Sequence, residues 1–157
     1  MTPNVDDRLA SVIRALTEVI LPHLPPEASL AQEQVHLSVG HLQILQAQID
    51  AIPGFEREEL DDAVAVGKAL GGVVVSGGAE TGKALASLAS SVAAASGDDV
   101  RAERKAISSA IAVLIGAVSA DGDAAGKAAL SKTILEHEHP RAQKDRHWFA
   151  PFGFDTL

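Results

Sequence analysis

Apolar residues return every three or four positions along most of this chain, the spacing of one helix face rather than the alternation of a half-buried strand. Val5, Leu9, Val12, Ile13, Leu16, Val19 and Ile20 outline a first helix. Thr2-Pro3 suits its start, as a cap followed by proline at the first helical position. Pro22 to Pro26 closes it, and a second helix is expected from about Glu27 to Ile52, stopped by Pro53-Gly54. The acidic run Glu56 to Asp62 favours a helix N-terminus electrostatically and opens a third helix that turns small and glycine-rich near Gly71. Ala79 to Ala95 reads as a closely packed fourth helix of Ala, Ser, Leu and Gly. Gly97-Asp98-Asp99 then caps a fifth, striped by Ile107, Ile111, Leu114 and Val118. Asp121-Gly122-Asp123 starts a weaker sixth that should end near Glu138, before Pro140. Short connections favour antiparallel neighbours, so the fold class is all-α: an up-and-down bundle of five or six helices over residues 1–140.

Polar residues interrupt this pattern on the second helix. Gln34, His41 and Gln48 stand seven apart, between Leu30, Leu37 and Ile44 on one side and Leu45, Ile49 and Ile52 on the other. A buried amide or imidazole left unpaired costs about 1–3 kcal/mol. The stripe therefore implies either a hydrogen-bonded ladder or subunit contact, or a polar pocket for a small molecule. His41 and His36 point about 140° apart, so His41 is expected inside and His36 outside.

Composition narrows the function classes. With 157 residues, 46% of them hydrophobic, the chain can build one real core. Thirteen basic against 21 acidic residues leave a net charge of −8, which disfavours nucleic acid and anionic membrane surfaces as partners. The absence of cysteine removes disulfides, thiolate metal sites and thiol catalysis together. No apolar run reaches the roughly 20 residues of a membrane span, and the first residues carry no basic-then-apolar leader. A cytoplasmic location is the expectation.

Three patterns suggest chemistry, and each meets an objection. Gly77-Gly-Ala-Glu-Thr-Gly82-Lys83 follows Val73-Val-Val and matches the spacing of a phosphate loop. The next residue is Ala84, where magnesium needs a hydroxyl, and no parallel sheet is in view, so a glycine-broken helix hairpin is the better reading. Glu33-x-x-His36 and Glu136-x-x-His139 are the weak metal candidates, since paired Glu-x-x-His motifs serve carboxylate-bridged metal bundles. Helical angles place His36 in the polar arc, with Glu33 only at its edge, which favours surface pairs, and no cofactor is expected. The numerous serines, such as Ser87, Ser90 and Ser108, lack a nucleophile-elbow context.

The aromatics are distributed very unevenly. Four of five lie in the last ten residues, Trp148, Phe149, Phe152 and Phe154; only Phe55 lies elsewhere. Exposed aromatics are costly in water, so residues 141–157 read as a docking arm. Pro151 and Gly153 suggest that it is extended. Residues 141–157 carry +1 against −9 for the remainder, which makes the acidic run Glu56 to Asp62 its natural counterpart. The arm can complete its own core, exchange between subunits, or anchor an enzyme or other protein partner. The resulting expectation is a small helical accessory or interaction protein that self-associates and has no catalytic constellation. The alternative is a small-molecule-binding or metal-dependent bundle with its pocket at His41.

Overall fold

The computed structural model describes residues 4–74 and 76–150, and every regular element among them is helical. The chain forms two compact units, residues 1–52 and 53–157.

The first unit is a helical hairpin. Helix α1 (Val5–Arg14) opens with the Asn4 side chain accepting from the Asp7 amide. It runs on through a π-helical stretch (Ala15–Ile20) and a 3-10 turn (Leu21–His23), and α2 (Ser29–Gln48) returns. The wide π turn takes an extra residue per revolution and so shifts the helical phase. Leu9, Ile13 and Leu16 are half-buried; beyond the π turn Leu21 takes the inward place and Ile20 is 43% exposed. Thr17 Oγ1 donates to the Ile13 carbonyl at 2.9 Å, satisfying an acceptor that the π geometry would otherwise strand. On α2 the inward face is Val35, Val39, Leu42, Gln46 and Ile49, alternating by four and three, and only Val39 is fully buried.

In the second unit, α3 (Ile52–Val73), α4 (Ala79–Ala94), α5 (Val100–Asp121) and α6 (Ala124–Phe149) share a continuous aliphatic core. Leu60, Leu70 and Val74 meet Leu88, Ile107, Leu114, Val118 and Leu130 there. The stripe expected on the fifth helix holds, with Ile107, Leu114 and Val118 wholly buried and Ile111 at the margin. Small residues let these backbones approach. A Cβ on Gly67 would lie 2.7 Å from Val92 Cγ2, so only glycine fits there without displacement.

Two boundaries differ from expectation. Pro53 does not stop the second helix; α2 ends at Gln48, and Pro53 sits in the first turn of α3, where its missing amide costs nothing. Pro140 does not end the sixth helix either. Helix α6 carries Pro140 in its interior, and residues 141–149 are helical rather than extended. An interior proline costs about 3 kcal/mol. Contacts on its C-terminal side offset that cost: Arg141 and Lys144 bind Glu59, and Trp148 stacks on Phe55 with ring centroids 4.4 Å apart. Phe149 is 44% exposed, while Phe152 and Phe154 lie outside the described residues.

Candidate functional site

The second unit holds a cleft of about 300 Å³ bounded by α3, α5 and α6. Its floor is Glu59, on the turn of α3 beside the core residues Leu60 and Ala63, with only 3% of its side chain exposed. A carboxylate so buried needs compensation. Arg104 Nη1 donates to Glu59 Oε2 at 3.1 Å; Arg141 Nη2 reaches the same oxygen at 3.2 Å and Nε at 3.4 Å. Lys144 Nζ lies 2.8 Å from Oε1, an ion pair without a well-directed hydrogen bond, so Oε1 retains unfilled accepting capacity. Burial pushes the Glu59 carboxyl up, and the contacts with Lys144 and Arg141 more than reverse this, leaving it below the ordinary carboxylate range.

Half-exposed acids lie at the rim. Glu138 accepts from Arg141 Nη1 at 3.0 Å, and Asp62 accepts from Lys144. Lys144 Nζ also sits 5.3 Å over the Phe55 ring. His137 Nδ1 bonds the Thr133 carbonyl at 2.9 Å, as a donor, which leaves Nε2 as the ring's other polar atom. Ala63, Val66 and Ile111 supply an apolar wall, and Ser108 stands one turn along α5 from Arg104. The attraction expected between the basic C-terminal segment and the run Glu56 to Asp62 is thus realised within the chain, through a helix.

The loop that resembles a phosphate cradle is occupied otherwise. Among the described residues no strand precedes it: α3 extends through Val73, and α4 begins at Ala79. The α4 N-terminus, where a phosphate would bind, instead holds the Asp121 carboxylate. Its Oδ2 accepts from the Glu80 amide at 2.8 Å, and its Oδ1 accepts from the Thr81 amide at 3.1 Å and the Thr81 hydroxyl at 2.6 Å. The Thr81 hydroxyl, followed by the backbone amides, holds the Asp121 carboxyl below its usual value. Two residues on, Asp123 caps α6 through the Gly126 amide at 2.7 Å and accepts from Ser76 Oγ at 3.0 Å. Asp121-Gly122-Asp123 therefore anchors the starts of two helices, and Lys83 pairs with Glu80 at 2.8 Å.

The sequence candidates fall elsewhere than the cleft. Gln34 and His41 are exposed and Gln48 is half-buried, so the polar stripe lies outside the hairpin's inward face. His41 and His36 are both exposed, contrary to the expected contrast. The reason is geometric: α2 carries two apolar directions about 130° apart, and α1 covers the one without the stripe. Glu33, Glu136 and His139 are exposed as well, Glu136 lying 3.8 Å from Lys132. Among the described residues, no three His, Asp or Glu side chains are grouped so as to hold a metal ion. No described helix is long and apolar enough to cross a membrane.

Glu59, Arg104 and Arg141 escape a reading by local motif because 45 and 82 residues separate the partners. The available signal was charge distribution, the acidic run set against the basic C-terminal segment. No protein-family model, curated protein or solved structure matches this chain.

Proposed function

We propose that the chain is a small helical interaction protein that self-associates through a second apolar face of its N-terminal hairpin. One observation carries this reading: the hairpin exposes a second, regularly spaced apolar seam. On α2 it consists of exposed Leu30 and Leu37 and half-buried Ile44 alternating with Gln34, His41 and half-buried Gln48, at successive steps of four and three residues. Leu30 is 69% and Leu37 49% exposed, and Val5 and Val12 of α1, again seven apart, are 54% and 48% exposed. Such spacing is that of a coiled-coil seam, where apolar layers bring affinity and polar layers fix register. A hairpin whose described residues fully bury only Val39 also needs an external apolar partner to be stable.

A second copy is the partner we favour. Glu33 is the one acidic or basic residue, histidines aside, between Ser29 and Gln48, so two α2 helices approach without the repulsion expected from a chain of net charge −8. The polar positions Gln34, His41 and Gln48 are symmetric about His41. Antiparallel pairing through a two-fold axis there sets Gln34 against Gln48 and Leu37 against Leu45 of the second copy. The reading includes an up-and-down order for the second unit, supported by the five-residue connection from Ala95 to Asp99. It assigns the aromatic end of α6 to docking within the chain, supported by the stack of Trp148 on Phe55.

Light scattering on the full chain tests this. We expect a dimer mass that Leu37→Glu converts to a monomer whose second unit still unfolds cooperatively, as the fluorescence of Trp148 stacked on Phe55 reports. Removal of residues 151–157 should leave the dimer intact. A monomer at high micromolar concentration, or a dimer untouched by Leu37→Glu, overturns the proposal.

A further inference from the structure

We infer that the end of α6, residues 141–149, is a strap that releases from α3 about Pro140 as a separate unit in response to ionic strength, opening one wall of the cleft and uncovering Phe55 and Glu59. Where α6 is anchored is the first ground. Its buried residues are Gly126, Leu130 and Thr133, Ile134 also packs against the core, and all four precede Pro140. Beyond the proline the described residues are half-buried or exposed. Pro140 supplies no amide, so the Glu136 carbonyl loses its intrahelical donor, and the ring crowds that same carbonyl. The helix is therefore weakest just past the end of its core anchorage.

What holds the strap is the second ground. Arg141 Nη2 lies 3.2 Å and Lys144 Nζ 2.8 Å from the Glu59 carboxylate, Lys144 also binds Asp62, and Trp148 stacks on Phe55. Two of these contacts share one carboxylate, which couples the turns of the strap to each other. The Arg141 and Lys144 side chains are 38% and 23% exposed, so dissolved salt screens their attraction to α3. Release does not strand Glu59, because Arg104 on α5 keeps its 3.1 Å bond to Oε2 and water reaches the other oxygen. Asp62 and Glu138 are about half exposed while the strap is docked, so they lose little when it leaves. Arg141 lines the cleft, and its departure opens the α6 side. Undocking exposes little surface, so urea scarcely favours it, and at low salt the Trp148 stack is lost only with the whole unit. Salt is the selective trigger.

The test is amide hydrogen exchange of the full chain, followed by NMR at near-neutral pH in about 0.05 M and about 0.5 M sodium chloride, which shortens the screening length to about 4 Å. The amides of residues 142–148 are expected to share one opening constant, with a step in protection at Pro140. The added salt should raise that constant about fivefold or more and leave Leu130 and Ile134 unmoved. Pro140→Ala, which restores the missing helical bond, should lower it about tenfold or more at both salt concentrations. Lys144→Gln should raise it at low salt and blunt its response to added salt. Simple fraying of a helix end gives protection that climbs residue by residue inward from Phe149, and that pattern would overturn the strap. So would an opening constant indifferent to salt, or one that Pro140→Ala leaves unchanged.

Discussion

Replacing the same residue type at two sites, Gly67→Ala and Gly116→Ala, should move stability in opposite directions. Both glycines lie inside helices, where alanine is intrinsically better by about 1 kcal/mol. At Gly116 nothing stands within 4 Å of the added Cβ, so that gain is expected in full. At Gly67 the new carbon falls 2.7 Å from Val92 Cγ2, 3.4 Å from Leu88 Cδ1 and 3.6 Å from Ile107 Cγ2. Carbon atoms prefer about 3.5–4.0 Å, and a β-branched valine has little rotamer freedom with which to retreat. Overpacking of this kind costs about 1–3 kcal/mol, so Gly67→Ala should lose about 1 kcal/mol net. The two variants should therefore differ by about 2 kcal/mol. Trp148, the sole tryptophan, stacks on Phe55 inside the same unit, so its fluorescence follows that unit's unfolding in urea. With a urea slope of about 1–3 kcal/mol per molar for a small domain, the midpoints should separate by about 1 M. A Gly67→Ala midpoint equal to or above that of Gly116→Ala would refute the close-contact argument.

Two more outcomes follow from the charged network and the capped loop. Glu59 is held below its ordinary pKa, so its stabilisation is complete above the unfolded carboxylate value of about 4.3 and fades as the pH falls through the lower folded value. Glu59→Gln should cost about 1–3 kcal/mol at neutral pH, the lower part of the range because Arg104 and Arg141 are 38–44% exposed, and should flatten the acid limb of a pH-dependent melt; an unchanged acid limb would count against the network. Because Asp121 already holds the α4 N-terminus, calorimetric titration with magnesium and ATP should show no saturable heat, and Asp121→Ala should lower the thermal midpoint through loss of that cap. Micromolar ATP affinity that disappears in Lys83→Ala would reverse this conclusion.

Local rules determine much of the architecture. The helical period, the breaks at Gly97-Asp98-Asp99 and Asp121-Gly122-Asp123, and the buried stripe Ile107, Leu114 and Val118 depend on neighbours within a few residues, which sequence displays directly. Charge segregation likewise announced the attraction between the C-terminal segment and the run Glu56 to Asp62. Tertiary structure decided what depends on competition between distant partners. Pro140 is a helix breaker by every local measure, and it lies within a helix because Glu59 and Phe55, over 80 residues away, hold the following turns in register. The wheel of α2 shows two apolar directions, and nothing in it says which one α1 covers; that choice put His41 and Gln34 outside rather than in a core. The glycines before Lys83 resemble a phosphate cradle in spacing alone, and only the fold reveals that Asp121, about 40 residues later, already occupies the amides. The cleft on Glu59 belongs to the same class. Its cations converge only where three helices bring them to one buried carboxylate.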